Sequence, residues 1–141
     1  MAFRFEFDST NRVLLSRFEG RFTDESAAEF HEAAWKYAAA TDAKAGIVDF
    51  SSVTEFAVSS ETLRQIARQK PTLPNSTGRP RAIVAPQTHA YGLFRMFQIA
   101  GEQTRPLLTV VRTMDEALAA LGVQSPHFEP LDWSSVGENW R

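Results

Sequence analysis

Phe3, Phe5 and Phe7 alternate with Arg4, Glu6 and Asp8, a period-two pattern that sends rings to one face of a strand and charges to the other. Ser9-Thr10-Asn11 makes a polar turn, and extended character resumes from Val13 to Gly20, so the chain is expected to open with an antiparallel hairpin. The period then becomes helical. Thr23 stands as an N-cap, Asp24 and Glu25 fill the first turn where the helix dipole favours anions, and Phe30, Ala34 and Tyr37 recur on one face. Ala45-Gly46-Ile47-Val48-Asp49-Phe50 is apolar without alternation, as expected of an interior strand covered on both sides.

Residues 51–60 read as a polar connection ending in Ser59-Ser60-Glu61-Thr62, the start of a helix that carries Leu63, Ile66 and Ala67. Pro71, Pro74, Gly78 and Pro80 mark a loop too short to separate two domains. Arg81-Ala82-Ile83-Val84-Ala85 is a further interior strand, stopped by Pro86. Thr88 is expected to cap a third helix, with Leu93, Phe97 and Ala100 on an apolar stripe and Tyr91, Arg95, Gln98 and Glu102 on a polar one. Residues 107–112 form the last strand, and Thr113-Met114-Asp115-Glu116 is a capping box for a helix that stops before Gly122.

A hairpin followed by helix and strand in alternation implies an α/β domain over residues 1–122, with a mixed sheet of about five strands flanked by about four helices. Residues 123–141 show no periodicity. Their Phe128, Leu131, Trp133 and Trp140 are costly to leave in water, so this tail is expected to pack on the domain or on a second subunit. The tail and the hairpin edge together leave room for a symmetric dimer.

Composition narrows the functional classes. A chain of 141 residues with 43% hydrophobic and 23% charged residues suits one globular domain. Its formal net charge of −2, without a cluster of lysine and arginine, lacks the electrostatic footprint of a nucleic-acid binder. The absence of cysteine removes thiolate chemistry and disulfides, and no apolar run reaches membrane-spanning length, so the expectation is a cytoplasmic protein. His31, His89 and His127 lie on separate elements without metal-ligand spacing, and no nucleophile elbow, phosphate loop or dinucleotide fingerprint is present. The chain is therefore read as non-catalytic, without metal or cofactor, with an enzyme of unrecognised type, its residues drawn from distant parts of the chain, as the remaining alternative.

The layout and three segments together resemble the STAS-like family, in particular the SpoIIAA-like group of small bacterial proteins described as STAS/SEC14 domains. The segments are Phe18-Glu19-Gly20-Arg21-Phe22-Thr23 after the hairpin, Val48-Asp49-Phe50-Ser51, and Ala85-Pro86 leading into Tyr91-Gly92-Leu93-Phe94-Arg95-Met96-Phe97, closed by Asp115-Glu116-Ala117-Leu118. The resemblance covers residues 3–122. It implies a mixed sheet flanked by helices, acting as a regulatory module through a protein partner, or as a SEC14-like carrier of a small apolar ligand or lipid. Anti-sigma factor antagonists of the wider family carry a phosphorylatable serine at the start of the helix after the third strand, in an Asp-Ser-Ser-Gly setting. Here the matching segment is Ala57-Val58-Ser59-Ser60-Glu61, with Val58 in place of the acid and Glu61 in place of the glycine.

Ser59 and Ser60 are thus candidates both for phosphorylation and for plain helix capping. Tyr91 and Arg95, one turn apart after a strand end, mark a ligand or partner edge at the carboxyl ends of the strands. Asp49 and His89 fall at the same edge, where Asp49 could orient a ligand or close an Asx turn.

Overall fold

A computed structural model describes residues 3–69 and 79–132. Most of the loop expected at 71–80, and Trp133 and Trp140 of the tail, lie outside these residues. Six strands and four helices follow in the order β1 (Phe3–Asp8), β2 (Val13–Thr23), α1 (Asp24–Thr41), β3 (Ala45–Ala57), α2 (Ser60–Arg68), β4 (Arg81–Val84), α3 (Thr88–Ala100), β5 (Leu108–Val111), α4 (Met114–Leu121) and β6 (Glu129–Leu131). The sheet order is β5-β4-β3-β2-β1-β6. β2 to β5 are mutually parallel, while β1 pairs antiparallel with β2 on one side and β6 on the other. This is the mixed α/β sheet with an opening hairpin that the pattern implies. It has six strands where about five were expected, because Glu129–Leu131 adds a short strand to β1 opposite Phe5–Phe7.

The period-two pattern of β1 places Phe3 and Phe5 in the core with Phe7 packed beside them. Leu14, Phe18 and Phe22 of β2 point to the same side, where α1, α2 and α3 cover the sheet. Rings dominate this layer. Phe50 stacks on Phe18 at 5.0 Å and on Phe94 at 4.3 Å between ring centroids, and Phe5 stacks on Tyr37 at 4.2 Å. On the opposite side α4 lays Ala117 on Val13, Leu15, Ile47, Ala82 and Val84, with Phe128 beside them. The part of this face beyond α4 carries charge: Arg17 bridges Glu6 at 2.7 Å and Asp49 at 2.9 Å, Arg21 meets Glu55 at 2.7 Å, and Arg4 pairs with Glu19.

β3 runs through residues 51–57, which the sequence reading treats as a connection. The register explains the difference. Arg17 and Glu19 of β2, two residues apart, face Asp49 and Ser52, three apart; Gly20 and Arg21, one apart, face Val53 and Glu55, two apart. Each shift inserts one extra residue in β3, a bulge, so the buried residues recur as Phe50, Val53 and, packed beside them, Phe56, at intervals of three instead of two. Gly20, at φ +74, supplies the left-handed backbone between the two bulges. Gln87 Nε2 donates to the carbonyls of Phe50 and Val53, both at 3.3 Å, which ties the bulged strand to the start of α3.

Thr23 caps α1 in a capping box with Ser26, and Thr113 caps α4 by accepting from the Glu116 N–H at 3.1 Å. Thr88 does not cap α3. It is the first helical residue, and Gln87 occupies the cap position without a side-chain bond to the helix because its amide is used on β3.

Candidate functional site

The inner stripe of α1 is built from small residues. Ala27, Ala34 and Ala38 present methyl groups to a sheet whose facing side chains are large, and the layers do not close completely. A cavity of about 220 Å³ remains between α1, α2, α3 and the sheet, floored by Leu14, Val48, Phe50 and Ile83 and walled by Phe30, Phe94 and Phe97. It exceeds the roughly 150 Å³ apolar cavity that stays dry and accepts benzene. Scaled on that case, it has room for an apolar body of about nine carbon-sized atoms.

One end is polar. Where β3, β4 and β5 begin, Arg79, Arg81 and Arg105 join His31 of α1 in the lining. Arg105 is buried at 9% exposure, and its Nη1 donates to the carbonyls of Ala67 at 3.1 Å and Gln69 at 3.2 Å, where α2 ends and cations are favoured. Its Nη2 lies 3.4 Å from His31 Nε2. A guanidinium only donates, so His31 Nε2 accepts and the ring is neutral with its proton on Nδ1. Burial and then the charges of Arg105 and Arg81 hold the His31 pKa below its ordinary 6.5, which keeps it so. Burial, followed by the neighbouring Arg81, pushes Arg105 down to about 10. Among the described residues no carboxylate lines the cavity, and no three His, Asp or Glu side chains gather as metal ligands.

The residues singled out from sequence lie at the other end of the strands. Asp49 is 5% exposed and fully engaged: Oδ2 accepts from Arg17, and Oδ1 accepts from the Ser51 N–H at 2.9 Å, closing an Asx turn inside the first bulge. Tyr91 lies beneath Arg112, whose guanidinium carbon sits 4.3 Å from the ring centroid. Arg95 donates to Gln98 at 2.8 Å, and His89 is exposed. Ser59 is the N-cap of α2, accepting from the Thr62 N–H at 3.1 Å. Asp24 reaches the same point, with Oδ1 accepting the Ser59 N–H at 2.7 Å and Oδ2 accepting its hydroxyl at 3.2 Å. A phosphate on Ser59 would meet that carboxylate, whereas Ser60 is exposed in the first turn. Ser59→Ala is expected to lower stability by about 1 kcal/mol, read as a lower urea midpoint with an unchanged m-value.

None of Arg79, Arg81 and Arg105 stands out in the sequence, because Arg79-Pro80-Arg81 and Arg105-Pro106 read as ordinary loop cations at or just before a strand start. The available signals were parity and phase. Arg81 shares strand parity with the core residue Ile83, and His31 falls on the stripe of Ala27, Ala34 and Ala38.

No family model matches the chain, and no curated protein matches it in sequence. Among solved structures, the Bacillus cell-fate determinant SpoIIAA in its phosphorylated form aligns with a TM-score of 0.48 and 18% identity, over 84% of this chain and 97% of that one.

Proposed function

We propose that the protein is a binding module that takes one small apolar molecule between α1 and the sheet. The observation that carries this reading is the cavity of about 220 Å³, walled by phenylalanine and alanine, in a domain otherwise packed on both faces. Binding suits the lining better than catalysis does. Among the described residues it offers no carboxylate, and its imidazole already accepts from Arg105.

Filling the space tests the reading. Ala34→Phe places a ring where the cavity lies, so the variant should melt within a few degrees of the parent yet lose saturable binding of 1-decanol in calorimetric titration. A space already filled by relaxation would instead make the larger residue destabilising by about 1–3 kcal/mol, and the parent would show no saturable heat.

A regulatory role through a protein partner is the second reading. It is favoured by the exposure of Ser60 and His89 in the first turns of α2 and α3, and of Arg95 further along α3. The two readings are compatible, since the half-open cavity lies between α1, α2, α3 and the sheet, and that edge lies at the other end of the strands. No described helix is long and apolar enough to cross a membrane.

A further inference from the structure

At the polar end of the cavity the described residues leave a cation without a counterion. Arg81 shares the strand face of Ile83 and lines the cavity, half-buried. Among the described residues no acceptor, carboxylate or ring engages its guanidinium, which leaves five donors without a protein partner. Burial, and after it the charge of Arg79, depresses its pKa. Arg105 is its other cationic neighbour.

The carboxylate beside Arg79, that of Asp42, is 68% exposed and divided between Arg79 at 3.4 Å and Arg12 at 3.2 Å. The segment 70–78, Lys-Pro-Thr-Leu-Pro-Asn-Ser-Thr-Gly, contains no acid. Like charges gathered in a partly desolvated place are unfavourable, and an anion placed among them relieves the repulsion and takes up donors that no described protein group engages.

We propose that this end binds the anionic headgroup, a carboxylate or a phosphate, of an amphiphile whose apolar chain fills the cavity, with Arg81 as the residue that contacts the headgroup. Arg105 stands alongside, its Nη1 fixed to the end of α2. The inference rests on the cavity reading above and adds the ligand's charge to it.

The test is calorimetric titration of the full chain with decanoate, monodecyl phosphate and 1-decanol, which share a chain and differ in the headgroup. At least one anion should bind about ten-fold or more tightly than the alcohol, as charge-assisted hydrogen bonds imply; whichever anion is tighter identifies the headgroup. Arg81→Gln should bring that anion to the level of 1-decanol, while Arg81→Lys, which keeps the charge, should retain most of the difference. Melting curves of both variants confirm that they are folded. Equal affinity for all three compounds in the parent overturns the headgroup site and leaves the cavity reading standing. A preference for the anion that survives Arg81→Gln overturns the role of Arg81. Failure of every compound to bind overturns the cavity reading itself.

Discussion

Phe50→Ala is expected to cost about 3–5 kcal/mol, a large share of the roughly 5–15 kcal/mol that keeps a domain of this size folded. Phe50 is 3% exposed and stands where the aromatic layer converges, in ring contact with Phe18, Phe22, Phe56 and Phe94. Its removal joins a new void to the cavity already present, so the surroundings have little with which to collapse inward. Urea unfolding should show the midpoint falling steeply. Phe56→Ala, at a half-buried position on the same strand, should lose distinctly less. Equal losses at the two positions would mean that the layer is not centred on Phe50.

Asp8→Ala should be the second large loss, about 3 kcal/mol, through a different mechanism. Asp8 is 1% exposed and receives four N–H groups: the backbone of Thr10 and Asn11 at 3.0 Å, the Asn11 side chain at 2.7 Å, and the backbone of His127 at 3.3 Å. It therefore holds the hairpin turn and docks the segment that leads to β6. Burial alone would raise its pKa, but the bonds from Asn11, His127 and Thr10 outweigh it and bring the carboxyl below 3.8. The unfolded chain then binds the proton more readily than the native one. This contribution is complete above about pH 3.8, and it is lost as the pH falls below that value toward the native pKa. Asp8→Ala should flatten the acid limb of the stability profile as well as lowering its plateau. An acid limb of unchanged slope in the variant would count against this assignment.

The elements whose alternation survives into the structure were legible from the chain. Phe3, Phe5 and the turn at Ser9-Thr10-Asn11 specify the hairpin, and the caps at Thr23, Ser59 and Thr113 fix three helix starts, because each rests on interactions within a few residues. β3 beyond Phe50 was not legible, since two bulges change its buried spacing to three and give it the look of a polar loop. The cap of α3 was misread at Thr88 because Gln87 spends its side chain on Phe50 and Val53, 34 to 37 residues away. The candidate site shows the same division. Ser59, Asp49 and Tyr91 were found by local pattern, and the structure engages them with Asp24, Arg17 and Arg112. The cavity depends on how the alanine stripe of α1 meets three strands and two helices, and the cations at its end come from Arg79, Arg81 and Arg105, which only tertiary structure brings together.

β6 also bears on assembly. It occupies the edge of β1 across Phe5–Phe7, the edge that a hairpin-to-hairpin pairing between copies would use. A strand of three residues, with Glu129 and Pro130 exposed on it, offers a poor template for further pairing.

The central claim, that the space between α1 and the sheet is a ligand-sized apolar cavity, is tested most directly by diffraction from crystals held under xenon pressure. The account predicts a strong xenon site enclosed by Ala34, Phe50, Ile83 and Phe94, with the surrounding side chains unmoved. Side chains collapsed into that space, with no xenon between them, would contradict it.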